Sequence, residues 1–223
     1  MEPLPLFPLG SVLLPGAPLA LQVFEPRYVQ LMHDLLGEGA RTDGVPPEFG
    51  VVAIRRGFEV GEGIRDTHDV GTVARIEQIG LIGAGVFGVV AVGAQRFHLR
   101  VLDETGSTPY LTGLVERLDE PVGDPQRAAV LARELVVAVG LHLDARGEDL
   151  AEQGQAPDDP TGVSYWAPRV LELEPQETQV LLAAPDTVTR LSMTLRTIRR
   201  ETQIEDRLGV TQAPRQAPPS NLN

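Results

Sequence analysis

The sequence contains neither cysteine nor lysine: none of the 223 residues is a cysteine, and all 19 Lys and Arg positions are arginines. Without a lysine amine there is no P-loop contact to ATP, no Schiff base and no Ser-Lys dyad. Without a thiol there is no disulfide, cysteine nucleophile, iron–sulfur cluster or zinc site built on sulfur. These absences exclude several large enzyme classes and favour a reducing, cytoplasmic environment.

Positive charge is also scarce, because 31 Asp and Glu residues give a formal net charge of −12. Proteins that bind nucleic acids obtain most of their affinity from basic surfaces, so we expect no nucleic acid as the main partner. The apolar opening has no basic residue before Arg27 and contains several prolines, which is not typical of a signal peptide. No apolar run reaches the ~18–20 residues of a membrane helix, so we predict no membrane partner.

The first half of the chain has the pattern of short strands. Five segments rich in Val, Ile and Leu are separated by glycine, proline and polar residues. One helix interrupts them, because Pro26 suits a first helical position, apolar residues recur at helical spacing up to Leu36, and Gly37 indicates an end. Many consecutive strands with a single helix favour an antiparallel barrel or sandwich. The predicted strand segments are 4–24, 49–54, 70–82, 86–102 and 110–118.

After Pro121 the pattern becomes helical. Asp124 and Pro125 predict the start of a helix that ends near Leu143, and further helices are predicted at 166–173, 175–184 and 186–208. The segment 144–162, between the first and second of these helices, contains six acidic residues and one arginine, and we predict a solvated acidic loop there. We therefore divide the chain into a barrel domain at 1–121, a helical subdomain at 122–209 and a disordered tail at 210–223.

Motifs for chemistry are weak in this sequence. Residues 83–88 match the dinucleotide-binding pattern G-x-G-x-x-G, but a strand composition follows where that fold requires a helix, so we interpret them as a turn. The four histidines lack a second ligand at helical spacing, and no serine lies in a G-x-S-x-G motif. The sequence thus predicts no catalytic residue, no metal site and no cofactor.

The segment 23–28 combines two aromatic side chains with a charged pair. It is either a recognition edge or a strand-to-helix corner in which Glu25 lies near the helix N-terminus and Arg27 is paired internally, and we favour the corner. The segment 95–97 is likewise either a recognition site or part of an ordinary two-faced strand. Trp166 is either a binding anchor or a core residue of the helical subdomain, and we favour the core. The candidate peptide-binding residues are Phe24, Arg27, Tyr28, Arg96, Phe97 and Trp166.

Several blocks of the sequence resemble, in order, the N-terminal substrate-binding domain of Lon protease. The resemblance is close over residues 3–120 and loose over the helical remainder. The blocks are LPLFPLG at 4–10, VLLPG at 12–16, LALQVFEPRY at 19–28, VGTVARI at 70–76, VGAQRFHL at 92–99 and the segment 110–120.

This resemblance implies an α+β fold, with a PUA-like antiparallel β-barrel, one inserted helix and a C-terminal helical subdomain. It also implies a non-catalytic module that binds unfolded or degron-bearing polypeptide, with a separate ATP-dependent protease as a further expected partner. Because 223 residues leave no room for ATPase and peptidase domains, we expect a stand-alone member of the family. An alternative is an enzyme or small-ligand-binding protein that uses a pocket between barrel and helices.

Overall fold

A computed structural model describes residues 1–37, 46–56, 66–83, 85–103 and 106–208, with side chains as far as Arg200. The strands in these ranges are β1 (Glu2–Leu9), β2 (Pro18–Val23), β3 (Glu48–Arg56), β4 (Asp66–Thr67), β5 (Val70–Gly83), β6 (Val86–Leu102) and β7 (Thr112–Arg117). The helices are α1 (Pro26–Leu36), α2 (Pro125–Ala145), α3 (Pro160–Val170), α4 (Pro175–Leu182) and α5 (Thr187–Leu208), with a 3-10 turn at Leu150–Gln153. The predicted tail at 210–223 lies outside the described residues.

Five strands form a closed ring in the order β1-β7-β6-β5-β3, because β1 pairs with both β7 and β3. The α+β fold class is therefore confirmed. One pair differs from an entirely antiparallel barrel, since β1 and β3 run parallel with Leu6 opposite Gly50. Parallel neighbours need a crossover connection, and the segment containing α1 supplies it.

The longest described strand, β6, has 17 residues and pairs with three other strands of the barrel. Strand β5 pairs along one side of it. On the other side, β2 pairs with the first part of β6 and β7 with the last part, so that Val23 lies opposite Phe87 and Arg117 opposite Phe97. The antiparallel β5–β6 pair also agrees with the interpretation of 83–88 as a hairpin connection. Ala84, within this connection, is outside the described residues.

The barrel core depends on close packing around Phe97, which is fully buried in β6. Its ring lies against Gly50 of β3 and Gly71 of β5, where an added Cβ would come within 3 Å of the ring. Helix α1 covers another part of the core with Tyr28, Leu31 and Met32, as its helical spacing predicts. Bulky side chains at either glycine would therefore displace Phe97.

Aspartate side chains cap the N-termini of three helices in the helical subdomain. Asp124 accepts hydrogen bonds from the backbone of α2, and Asp186 accepts one from the backbone N–H of Thr189 in α5, as the sequence predicts. Helix α3 begins at Pro160, six residues before the predicted start, so the end of the predicted acidic loop is helical. Proline suits a first helical turn, and Asp159 caps this one by accepting a hydrogen bond from the Gly162 N–H.

None of the described helices is long and apolar enough to cross a bilayer.

Candidate polypeptide-binding surface

The segment 23–28 forms the corner between β2 and α1. Arg27 Nη2 lies 3.0 Å from Glu25 Oε2, and its guanidinium lies 4.6 Å from the centre of the Tyr28 ring. Tyr28 is buried and stacks on Phe7 at 4.1 Å between ring centres. The structure thus agrees with the corner interpretation, while Phe24 has 60% of its surface exposed to solvent.

Arg96 lies on the outer face of β6, where the helical subdomain covers it. Its Nε donates a hydrogen bond to Glu120 Oε1 at 2.6 Å. Its Nη1 donates to the backbone carbonyls of Leu182 and Ala184 at 2.7 and 2.8 Å. With only 3% of its surface exposed, Arg96 joins the barrel to the helices.

A second buried arginine, Arg190 of α5, lies beside the first. Its Nε donates to the Leu181 carbonyl at 3.1 Å, and its Nη1 donates to Ser164 Oγ at 2.8 Å. Its Nη2 is 3.5 Å from Glu120 Oε2, and its guanidinium lies 3.9 Å from the centre of the Tyr165 ring. Arg190 is fully buried, with contacts from α3, from α4 and from Glu120 after the last strand of the barrel.

These groups form the junction network, which we define as Arg96, Glu120, Tyr165 and Arg190. Tyr165 completes it by donating its hydroxyl to Glu120 Oε2 at 2.8 Å. Burial lowers the pKa of Arg190 and raises the pKa of Tyr165. One carboxylate faces two guanidinium groups, and carbonyl oxygens at the C-terminal end of α4, which carry partial negative charge, accept further hydrogen bonds from both. The arrangement is that of a structural contact, since its polar groups are bonded to one another.

The other two candidates lie in cores. Phe97 is fully buried in the barrel, and Trp166 is 3% exposed among the side chains of α2, α3 and α5. The Trp166 indole Nε1 has no hydrogen-bond partner among the described residues. Neither side chain can reach a bound peptide while its core is closed, so burial argues against direct contact at four of the six candidates: Tyr28, Arg96, Phe97 and Trp166.

The structure brings Phe24 together with residues that sequence reasoning missed. We define the hairpin patch as Phe24, Leu81, Ile82 and Val90, whose surfaces are 60%, 67%, 60% and 38% exposed. Phe24 directly follows Val23, which lies opposite Phe87 on β6, and Leu81 lies opposite Phe87 from the other side. The four side chains therefore lie near the same end of three neighbouring strands, which are ~4.8 Å apart.

Glycine at position 88 shapes this surface. The Ile82 side chain lies over Gly88, where an added Cβ would be 2.8 Å from Ile82 Cγ2. The absence of a side chain at Gly88 thus leaves room for Ile82 on the hairpin formed by β5 and β6. The sequence could not indicate the exposure, because the end of β5 has apolar residues on both faces and the composition alone does not say which face is covered.

A second exposed apolar surface lies on α2, where Val137 and Leu141 are 62% and 66% exposed. They line a groove of about 460 Å³ between α2 and α5, and Val180 lines one of about 400 Å³ between α4 and α5. Neither groove lies between barrel and helices, where the alternative function would place a pocket. Within the described ranges, no group of three or more His, Asp or Glu side chains could hold a metal ion.

Known proteins resemble this chain over most of its length. Lon protease 2 of Myxococcus xanthus is 28% identical over 210 residues, which are 90% of this chain and 24% of that protein. Lon protease 4 of Sorangium cellulosum is 34% identical over 135 residues, which are 60% of this chain and 16% of that protein. The chain thus spans less than a quarter of the length of these curated relatives.

Solved structures agree with the fold. A Lon N-terminal domain protein from Xanthomonas campestris is 27% identical, with a TM-score of 0.59 and coverage of 88% of this chain and 98% of that one. The N-terminal domain of Mycobacterium avium complex Lon protease has a TM-score of 0.63 at 16% identity, covers 89% and 98% of the two chains, and supports the fold alone. The sequence model of the ATP-dependent protease La (LON) substrate-binding domain matches residues 3–200. The chain therefore belongs to the family of the Lon substrate-binding domain.

Proposed function

We propose that this chain is a non-catalytic polypeptide-binding module and that the hairpin patch contacts the bound segment. The observation behind the proposal is the exposure of four large apolar side chains together at one end of a domain from a substrate-binding family. Exposed apolar clusters of this kind are typical of interaction sites. Unfolded or degron-bearing segments are the polypeptides that expose complementary apolar side chains.

The expected binding is weak and tolerant of sequence. Fully burying a large apolar side chain contributes about 1.5–3 kcal/mol, and the side chains of the hairpin patch are already partly covered. Association itself costs about 4–15 kcal/mol, so the surplus is small. The net charge of −12 opposes the binding of acidic segments and favours neutral or basic ones.

The further partner in this proposal is a separate ATP-dependent protease that receives the bound polypeptide in the cytoplasm. The family name supports this, since the matching domain is that of an ATP-dependent protease. A degradation assay with such a protease tests the partnership. Faster degradation of an unfolded substrate when this chain is added supports it, and an unchanged rate contradicts it.

The binding proposal is tested by fluorescence anisotropy with a labelled, chemically unfolded protein and its native form. We expect the unfolded form to bind and the native form not to bind. The double substitution Leu81→Ser with Ile82→Ser should weaken binding at least tenfold, because it removes two exposed apolar contacts without opening a core.

The matched control is Val137→Ser with Leu141→Ser on α2, where the exposure of the two side chains is similar. Both double variants should unfold at nearly the temperature of the unsubstituted chain, since both sites are at the surface. Equal loss of binding in the two variants would mean that exposed apolar surface acts without a defined site. Loss in the α2 variant alone would move the site to the helical subdomain.

A further inference from the structure

The outer edge of β5 has backbone groups next to which the described residues place no strand. Strand β3 pairs with residues 72–75, and the Ile76 N–H donates to the Pro47 carbonyl at 2.9 Å. Beyond this bond, no strand in the described part of the chain pairs with the outer side of residues 77–83, whose inner side pairs with β6. Peptide groups on a free edge are hydrogen-bond donors and acceptors that can pair with an added strand.

The sequence of this edge offers little protection against pairing. Residues 77–83 read EQIGLIG, with one charged side chain and no lysine or proline, the residues that commonly block an edge. The register with β6 shifts at 76/78 and at 81/83, so the regular part of the edge is residues 78–81. These residues lie within the same hairpin as Leu81 and Ile82 of the hairpin patch.

We propose that an extended polypeptide segment adds as a strand to the outer edge of β5 at residues 78–81, with its apolar side chains against the hairpin patch. This inference rests on the proposed function and specifies how the same surface holds its ligand. Backbone hydrogen bonds are the same for every residue except proline, so strand addition supplies affinity that does not depend on sequence. Apolar side chains at alternate positions add the modest selectivity.

The occupant is a short peptide segment rather than a second copy of this chain. An added strand of four residues is about 13 Å long in a sheet about 10 Å thick, so the contact is on the order of 130 Å² per partner. A stable dimer needs about 800 Å² per partner. In addition, two copies with a net charge of −12 each repel one another, whereas a neutral segment is not repelled.

The test uses the full chain and a labelled ten-residue peptide of alternating leucine and serine with one lysine at each end. Two further versions have N-methyl groups on all leucines or on all serines, which block the N–H groups on one edge of the extended peptide or on the other. Strand addition predicts that one methylated version binds at least tenfold more weakly and the other within about threefold of the unmodified peptide. Amide hydrogen exchange should slow at residues 78–81 when the unmodified peptide binds.

The outcomes separate the two proposals. Binding of all three peptides with similar affinity, without slower exchange at 78–81, overturns strand addition but leaves polypeptide binding intact. No binding of unmodified peptide or of unfolded protein overturns both. If amide exchange at 78–81 becomes slower as the protein concentration is raised without peptide, a second copy of the chain occupies the edge. That result overturns the proposed occupant.

Discussion

Arginine and glutamate pair in two regions of the molecule that differ in their access to water. In the junction network, the Arg96 and Arg190 side chains are 3% and 0% exposed, and backbone carbonyls complete their hydrogen bonds. On the outside of the barrel, Arg117 bridges Glu2 and Glu48 at 2.6 and 2.9 Å, and its side chain is 34% exposed. The same residue types therefore face very different costs when a partner is removed.

The difference follows from desolvation. A buried guanidinium that loses its carboxylate regains little of its hydration, and breaking a buried pair typically costs about 3–5 kcal/mol. Because Glu120 itself is 28% exposed, we expect the lower end of this range. An exposed pair exchanges its partner for water and salt and contributes about 0–1 kcal/mol. We infer that the junction network fixes the helical subdomain on the barrel, while the outer pairs adjust stability only slightly.

The largest expected effect is that of Glu120→Ala. It leaves two buried guanidinium groups without a carboxylate, and we expect a loss of about 3 kcal/mol in the free energy of unfolding. Urea denaturation followed by circular dichroism measures it. The matched control is Glu116→Ala, which removes an exposed partner of Arg100 and should change the melting temperature little. Equal effects of the two substitutions would contradict the comparison.

A smaller effect is expected for Asp186→Ala at the start of α5, the helix that contains Arg190. The Thr189 N–H donates to Asp186 Oδ1 at 2.7 Å, and the loss of such a cap costs about 1 kcal/mol. This backbone hydrogen bond lowers the pKa of Asp186 below its ordinary value of 3.8.

The sign of the pH dependence follows from that lowered pKa. The contribution of the ionised Asp186 is present above the ordinary pKa and is lost as the pH falls through the lower pKa of the folded state. The free energies of unfolding of the unsubstituted chain and of Asp186→Ala should therefore differ at pH 7. They should become equal at a pH below the folded-state pKa of Asp186. Urea denaturation at several pH values checks this, and a difference that stays constant into acid would exclude the ionised cap as its cause.

The smallest effect is expected for Arg117→Ala on the outside of the barrel. The loss should be about 0.5 kcal/mol because both carboxylate partners remain in contact with water. High salt should reduce the difference further, since salt screens exposed charges. Thermal unfolding at low and high ionic strength measures both. A loss as large as that of Glu120→Ala would remove the distinction between the two regions.

Local patterns were sufficient to predict much of the fold. The bounds of α1 follow from Pro26 and from apolar spacing up to Leu36, and β6 has the bounds that its composition predicts. The early start of α3 was not predicted because Pro160 and Gly162 resemble loop residues until Asp159 is seen to cap them. The parallel β1–β3 pair depends on closure of the barrel, which no local pattern specifies.

The candidate surface was harder to predict, because exposure depends on distant parts of the chain. Arg96 occupies an outward position of β6, as a two-faced strand predicts, but the carbonyl that covers it comes from Leu182, 86 residues away. Arg190 follows the buried Thr187 by three residues and precedes the buried Thr194 by four, a helical spacing that indicates a polar buried stripe. Leu81 and Ile82 resemble core residues until the hairpin is seen to extend beyond the helix that covers the barrel.

Strand β6 also connects the hairpin patch to the junction network. Its first part pairs with the end of β5 that contains Leu81 and Ile82, and its last part contains Arg96. If the proposed strand addition holds a polypeptide at the hairpin, one continuous stretch of β6 backbone connects that polypeptide to the junction network beneath the helices.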